Sequence, residues 1–109
     1  MTTPNTTFNR LNPEDRKARI LKAGVELAQK SGGLMTLQRL HVAHRAQCSP
    51  NLVNHYLGSR DDMIAAIIKE GIRLGNLDII GQAVIAGHKA AKRLTADIKQ
   101  KAISHTAGI

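Results

Sequence analysis

RLHVAHRAQCSPNLVNHYLGSR, residues 39–60, has the residue spacing of two short helices joined by a tight turn. With Arg39 as the first position of the motif, the apolar positions fall at helical spacing within each half. The small side chain of Ala43 occupies the point where the two helices would cross. The remaining contacts that we expect to be buried are Val42, Ala46, Val53 and Tyr56. The pattern predicts a helix-turn-helix.

The second half of this stretch carries clear signals for the ends of helices. Ser49 is a favourable N-cap, and Pro50 suits the first helical position, where its missing N–H costs nothing. Gly58 predicts the end of this helix, and Ser59 predicts the N-cap of the next one. These residues place a recognition helix at residues 50–57.

Gln47 departs from the usual pattern of the motif. The ninth position is normally glycine, because the chain turns there with a positive φ. A non-glycine residue in that conformation costs roughly 1–2 kcal/mol. The sequence leaves two alternatives open: the turn tolerates this cost, or its geometry differs.

From Ile20 to about Ile72 the chain resembles the N-terminal DNA-binding domain of the TetR family of transcriptional regulators. The strongest similarity is the stretch CSPNLVNHYLGSRDDM, residues 48–63, which resembles the family's recognition helix and the phrase that follows it. Further matches are Ile20, Ala23, Leu27, Val42, Ala43 and Ala46. The resemblance implies a DNA-binding regulator. Since few residues follow Ile72, we do not expect the family's pocket for a small-molecule inducer.

The charge pattern independently favours nucleic acid as the partner. The chain has 16 Lys and Arg against 8 Asp and Glu, which gives a net charge of +8. No acidic residue falls between Glu26 and Asp61, so the predicted motif would not repel phosphates. Phe8 and Tyr56 are the only aromatic residues, whereas single-strand binders usually stack bases on several rings. We therefore expect double-stranded DNA.

The whole chain is predicted to be all-α. We expect a disordered arm at residues 1–11, a DNA-binding domain at residues 12–75 and a short helical, basic dimerisation tail at residues 76–109. Within the domain, a first helix from Asn12 to about Ser31 and a long fourth helix after Ser59 flank the motif. Gly24 inside the first helix predicts a close helix crossing. One or two short helices follow in the tail.

Base contacts are expected at the N-terminal end and exposed face of the recognition helix. Asn can pair with adenine, and Leu can contact a thymine methyl, so the operator core is predicted to be rich in A·T pairs. The predicted base-contacting residues are Pro50, Asn51, Leu52 and Asn54. The predicted phosphate-contacting residues are Gln38, Arg39, His55, Tyr56 and Arg60. For Tyr56 the sequence leaves two alternatives open, a phosphate contact or a ring buried in the core with its hydroxyl at the backbone.

We expect a homodimer, because one such module touches too few base pairs for specificity over a genome. The outer face of the fourth helix and the tail provide the apolar surface for it. The predicted dimer-interface residues are Ile64, Ile68, Ile72, Ile79, Ile80 and Val84.

The sequence predicts a sequence-specific transcriptional regulator, most simply a dimeric repressor at a palindromic operator. Alternatives are an activator that contacts RNA polymerase, a non-specific DNA-binding protein, or an adaptor that has lost DNA binding. His41, His44 and Cys48 have zinc-binding side chains at helical spacing, but ordinary exposed or turn positions explain them better, so no metal or cofactor is expected. No catalytic constellation is evident, and we do not expect an enzyme.

The lone cysteine, the polar N-terminus and the lack of a long apolar run indicate a cytoplasmic protein without a membrane span. Its size is typical of regulators encoded by bacteria, phages or plasmids. Residues 79–109 contain five Lys or Arg and one Asp. This basic segment indicates either a second phosphate-facing patch or a solvated tail.

Overall fold

A computed structural model describes residues 8–30 and 33–108 of the chain. Within these ranges the protein contains α-helices and two short 3₁₀ segments, Phe8–Arg10 and Lys89–Ala91, and no β-strand. The helices are α1 (Pro13–Ala28), α2 (Arg39–Ala46), α3 (Pro50–Leu57), α4 (Arg60–Leu74), α5 (Leu77–Ile85) and α6 (Ala96–Ala107). The all-α prediction is confirmed.

Helix α1 begins where the sequence predicts it. The side chain of Asn12 accepts a hydrogen bond of 2.8 Å from the backbone N–H of Asp15, and Pro13 occupies the first helical position. The helix ends at Ala28, three residues before the predicted end at Ser31. Ser31 itself lies outside the described residues.

The predicted disordered arm is wrong for its last part. Phe8 belongs to a 3₁₀ segment, and its side chain is only 6% exposed in the hydrophobic core. The ring lies edge-on to Tyr56, with 6.4 Å between the ring centroids. The guanidinium of Arg16 lies 5.9 Å from the Phe8 ring centroid. Burial of this single aromatic ring orders the segment, whereas residues 1–7 of the predicted arm lie outside the described residues.

The turn between α2 and α3 adopts the positive φ that the spacing of the motif implies. Gln47 has φ 61° and ψ 48°, and it is the one non-glycine residue with positive φ in the described part of the chain. The N–H of Cys48 donates to the carbonyl of Ala43, and the N–H of Gln47 donates to His44, as in a Schellman motif. The Gln47 Oε1 accepts a hydrogen bond of 2.6 Å from Arg19 of α1. The turn therefore tolerates glutamine.

Helix α4 is the central packing element. A reciprocal capping box starts it: the Ser59 hydroxyl accepts from the Asp62 N–H, and the Asp62 carboxylate accepts from the Ser59 N–H. Along its length α4 packs against α1, α3 and α5. The fully buried Met63 and Ile67 lie on this helix.

A glycine permits the close approach of α1 to α4. A Cβ at residue 24 would lie 2.5 Å from Ile67 Cδ1, which is closer than real contacts allow. The close crossing predicted at Gly24 is therefore confirmed. Gly81 plays the same part between α5 and α6, because a Cβ there would lie 2.7 Å from the carbonyl oxygen of Ala102.

Four of the residues predicted to form a dimer interface lie instead inside a single chain. Ile64, Ile68, Ile79 and Ile80 are at most 3% exposed. The physical reason is that α5 folds back onto α4 and covers the face of α4 that the sequence alone left without a partner, and that α6 in turn packs against α5. The two other predicted interface residues, Ile72 and Val84, are half-buried against the same core.

No helix in the described part of the chain is both long and apolar enough to span a lipid bilayer.

We expect Gln47→Gly to stabilise the protein by roughly 0.5–1 kcal/mol. Glycine removes the strain of positive φ, although the substitution also removes the exposed hydrogen bond to Arg19. The matched control is Gln47→Ala, which keeps the strain and removes the same bond, and which should be less stable than the parent. Chemical denaturation checks both variants, and equal effects of glycine and alanine would contradict the argument.

Candidate nucleic-acid interface

The N-terminal ends of α2 and α3 and the start of α4 border one open groove of about 430 Å³. Four of the side chains that line it are polar or basic, two are apolar, and none is acidic. The lining residues are Gln38, Arg39, Leu40, Pro50, Asn51 and Arg60. Two helix N-termini therefore open onto a surface that also carries two guanidinium groups, a combination that suits an anion.

The N-caps of these two helices differ from those of the other α-helices. In α1, α4, α5 and α6 the N-cap side chain accepts a hydrogen bond from the first turn of the helix. Neither Gln38 at the start of α2 nor Ser49 at the start of α3 makes such a bond. The first-turn N–H groups of α2 and α3 are therefore not covered by their own N-cap side chains.

The predicted base-contacting residues are largely accessible. Pro50, Asn51 and Asn54 are exposed along one side of α3. Leu52 is half-buried and packs against the core, so only part of its side chain faces outward. Exposed amides on a two-turn helix are suited to pairing with base edges.

The predicted phosphate-contacting residues also lie at the surface, with one exception. Gln38, Arg39, His55 and Arg60 are exposed, whereas Tyr56 is half-buried. The Tyr56 ring packs edge-on against His55, at 4.8 Å between centroids, and its hydroxyl accepts a 3.4 Å hydrogen bond from Arg16. Tyr56 thus joins α3 to α1, and only the exposed part of its side chain is accessible to a phosphate group.

Arg60 also has a structural role that the sequence did not indicate. Its Nε donates to the carbonyl of Leu37 at 3.0 Å, and its Nη2 donates to the carbonyl of Met35 at 2.6 Å. These bonds hold the loop that leads into α2. The guanidinium charge still borders the groove, so Arg60 both shapes the surface and contributes positive charge to it.

Gln82 of α5 holds the other end of this loop and was missed by the sequence analysis. Its Oε1 accepts a 2.9 Å hydrogen bond from the N–H of Leu34. Its Nε2 donates to the carbonyls of Ala28, at 2.6 Å, and Lys30, at 3.3 Å. A long-range partner of this kind leaves no signal in local spacing. Gln82 fixes the end of α1 and the start of the loop that positions α2.

Other basic residues near the motif are partly neutralised. Arg45 of α2 lies 3.2 Å from the carboxylate of Glu26, in an exposed ion pair. Ion pairs of this kind contribute little to stability, but this one offsets the charge of Arg45, which is not among the residues that line the groove. The groove itself contains no comparable carboxylate among its lining residues.

Cys48 occupies the turn as a half-buried thiol. Burial raises the pKa of the Cys48 thiol above its usual value, and the charge of Arg19 opposes that shift. Within the described residues, no three His, Cys, Asp or Glu side chains are grouped to hold a metal ion, and His41, His44 and Cys48 form no such cluster.

We expect Cys48 to be alkylated more slowly in the folded chain than in the unfolded chain at mildly alkaline pH. Because its folded pKa is raised, less thiolate is present. For the same reason, protonation of the Cys48 thiol favours the folded state. This contribution to the free energy of unfolding is fully present at a pH below the pKa of the unfolded thiol, and it is lost as the pH rises through the pKa of the folded thiol. Rates with iodoacetamide, with and without urea, check this on the protein's single cysteine; a faster folded rate would contradict it.

We expect Gln82→Leu to destabilise the fold by about 1–3 kcal/mol, because it leaves the carbonyls of Ala28 and Lys30 and the N–H of Leu34 without this partner. Hydrogen exchange at the Leu34 amide should become faster than exchange at other core amides. A general loosening of the core would instead increase exchange at all of these amides. The control is Gln29→Ala, which breaks only the exposed side-chain bond to Asn76 at the same end of α1. Unchanged Leu34 exchange in Gln82→Leu would show that the clamp is unimportant.

A comparison with known protein families finds no matching family model, and comparisons with curated proteins and with solved structures also find no match.

Proposed function

We propose that this chain is a sequence-specific regulator of transcription that binds double-stranded DNA. In this proposal α2 and α3 act as a helix-turn-helix, with α3 as the recognition helix in the major groove. The resemblance of residues 20–72 to the TetR family points the same way. Repression by occupying a promoter is the simplest mechanism; an activator would differ in the position of its site relative to the promoter.

The observation that carries the proposal is the basic groove shared by the N-termini of α2 and α3. It combines the positive ends of two helix dipoles with the side chains of Arg39 and Arg60, and its lining contains no acid. Such a surface attracts the phosphate backbone, which positions the protein, while side chains on α3 contact base edges. Asn51 lines the groove and is exposed near the start of α3. The phosphate contacts in the groove and the base contacts of α3 would therefore lie next to one another.

The chemistry of α3 favours a particular kind of site. The helix contains no arginine or lysine to pair with guanine. Asn51 and Asn54 can each pair with adenine in a bidentate manner, and the accessible part of Leu52 can meet a thymine methyl. The proposed operator therefore has a core rich in A·T pairs, and selection of guanine at the core positions would contradict this part of the proposal.

A homodimer remains part of the proposal, with a revised surface. In the C-terminal half of the described chain, the exposed large apolar side chains are Leu74, which is 53% exposed, Ile85, which is 62% exposed, and Ile98, which is 39% exposed. The half-buried Ile72 and Val84 remain as partial contributors. Two copies on a palindrome would double the number of base pairs that are contacted.

We expect Asn51→Ala and Arg39→Ala to affect DNA binding in different ways. Removal of the Asn51 amide should cost about 1–3 kcal/mol on the selected site and relax preference at one base pair, with the salt dependence unchanged. Removal of the Arg39 charge should weaken binding to all duplexes alike and lower the salt slope by about one. Lys22→Ala removes an exposed charge that lies outside the groove, and it is the matched control.

The measurement is selection of sites from a random duplex pool by the purified protein, followed by titration at several salt concentrations and determination of its mass in solution. A defined palindromic site bound by a dimer supports the proposal. Equal binding to all duplexes would indicate a non-specific DNA-binding protein, and no binding to duplex DNA would overturn the proposal in favour of an adaptor.

A further inference from the structure

The basic residues that follow α5 are held on an ordered surface. The backbone reverses at Gly87, where the N–H of His88 donates to the carbonyl of Ala83 at 2.9 Å. The 3₁₀ segment Lys89–Ala91 follows, and the side chain of Ala91 is only 2% exposed in the core. This anchor fixes the position of three exposed cations that we call the basic rim, Lys89, Lys92 and Arg93.

The basic rim forms no ion pair within the described part of the chain, although Asp61 and Asp62 line the same groove as Lys89. The ion pairs found there join Arg45 to Glu26, Arg73 to Glu70 and His105 to Asp78, and none involves the rim. Three like charges within five residues repel one another, and a polyanion would relieve that repulsion. Charge alone does not distinguish a polyanion-binding site from a solvated surface. The position of the basic rim in the fold is therefore the observation that favours a binding site.

The placement is next to the proposed DNA-binding surface. A second groove of about 510 Å³ lies between the first turns of α4 and the segment that carries the rim. Its lining residues are Asp61, Asp62, Ala65, Lys69, His88 and Lys89. Arg60 lines the first groove and Asp61 lines the second. The two grooves therefore flank the N-terminus of the same helix, one residue apart in sequence.

The two carboxylates in the second groove define where an anion can lie. Asp62 accepts hydrogen bonds from the Ser59 N–H and hydroxyl and is committed to the helix cap. Asp61 is exposed and repels a phosphate from the interior of the groove. A phosphate backbone leaving the first groove would therefore pass along the outer edge of the second groove, on the side of Lys89. Lys92 and Arg93 follow as exposed residues of the same segment, and Lys92 borders a further groove of about 130 Å³.

We propose that the basic rim is a second contact for the phosphodiester backbone of the same DNA duplex that α3 binds. The inference rests on the proposed function and extends it, since it adds a sequence-independent contact beside the recognition helix. Contacts of this kind lengthen the footprint on DNA and increase affinity for every sequence alike. The segment that follows α5 would thus be part of the DNA-binding surface.

The test compares two matched double variants of the full chain. Lys89→Gln with Lys92→Gln removes two charges from the rim, and Lys22→Gln with Lys30→Gln removes two exposed charges elsewhere. Binding to a mixed-sequence DNA duplex is titrated between about 50 and 200 mM salt, and the slope of log affinity against log salt is compared. Circular dichroism and thermal unfolding confirm that all these variants fold like the parent.

We expect the rim variant to lower the steepness of the salt slope by about two, one for each phosphate that the rim no longer neutralises, and to leave base preference unchanged. The control variant should leave the slope near that of the parent, and Lys89→Arg with Lys92→Arg should retain it. Equal slopes in the rim variant and the parent would overturn the rim contact while leaving the proposed function intact. Equal reductions of slope in the rim and control variants would also overturn it, because they would reflect net charge alone.

A parent chain that binds no duplex at any salt concentration would overturn both proposals. Sedimentation with vesicles of phosphatidylserine and phosphatidylcholine tests the rival polyanion. Vesicle binding that the rim variant abolishes, together with an unchanged DNA slope, would assign the rim to an anionic lipid surface and overturn the DNA contact.

Discussion

The contact between Gly24 of α1 and Ile67 of α4 is the constraint on which the rest of the fold depends. Without a Cβ at residue 24, α1 approaches α4 closely enough to bury Ile67 completely. Close-packed interiors transmit any change of volume at such a point. Because α4 also packs against α3 and α5, its position relative to α1 determines where the short helices and the C-terminal segment lie.

The short helices α2 and α3 have eight residues each and would be marginal in isolation. Their stability comes from Val42, Ala46 and Val53, which are buried against the longer helices. The loop before α2 is held from two sides, by Arg60 of α4 and by Gln82 of α5. The position of the groove therefore depends on elements from both halves of the chain. A shift of α5 would displace the loop and, with it, the start of α2.

Most local features of this fold could be predicted from the sequence, although Ser49 begins α3 without the side-chain hydrogen bond of an N-cap. Features that depend on distant partners could not be predicted. The caps at Asn12 and Ser59 each depend on residues within a few positions of one another. Phe8 looked like part of a polar tail, because nothing near it in sequence shows which aromatic ring lies beside it. Likewise, the wide apolar face of α4 does not say whether its partner is another chain or a later part of the same one. Ile64 and Ile68 are in fact covered by the returning α5.

The electrostatics of the candidate interface follow from where the acids are placed. Side-chain caps and first-turn acids stabilise α1 and α4, but α2 and α3 have neither acids in the first turn nor a side-chain cap hydrogen bond. Those two helices therefore forgo a local stabilisation worth about 0.5–2 kcal/mol each in typical proteins. An external anion at the groove would supply what the sequence omits, so that binding and helix stability would be coupled there. Under the proposed function, such coupling would give a physical reason for the two uncapped helices to begin at the same groove, beside Arg39 and Arg60.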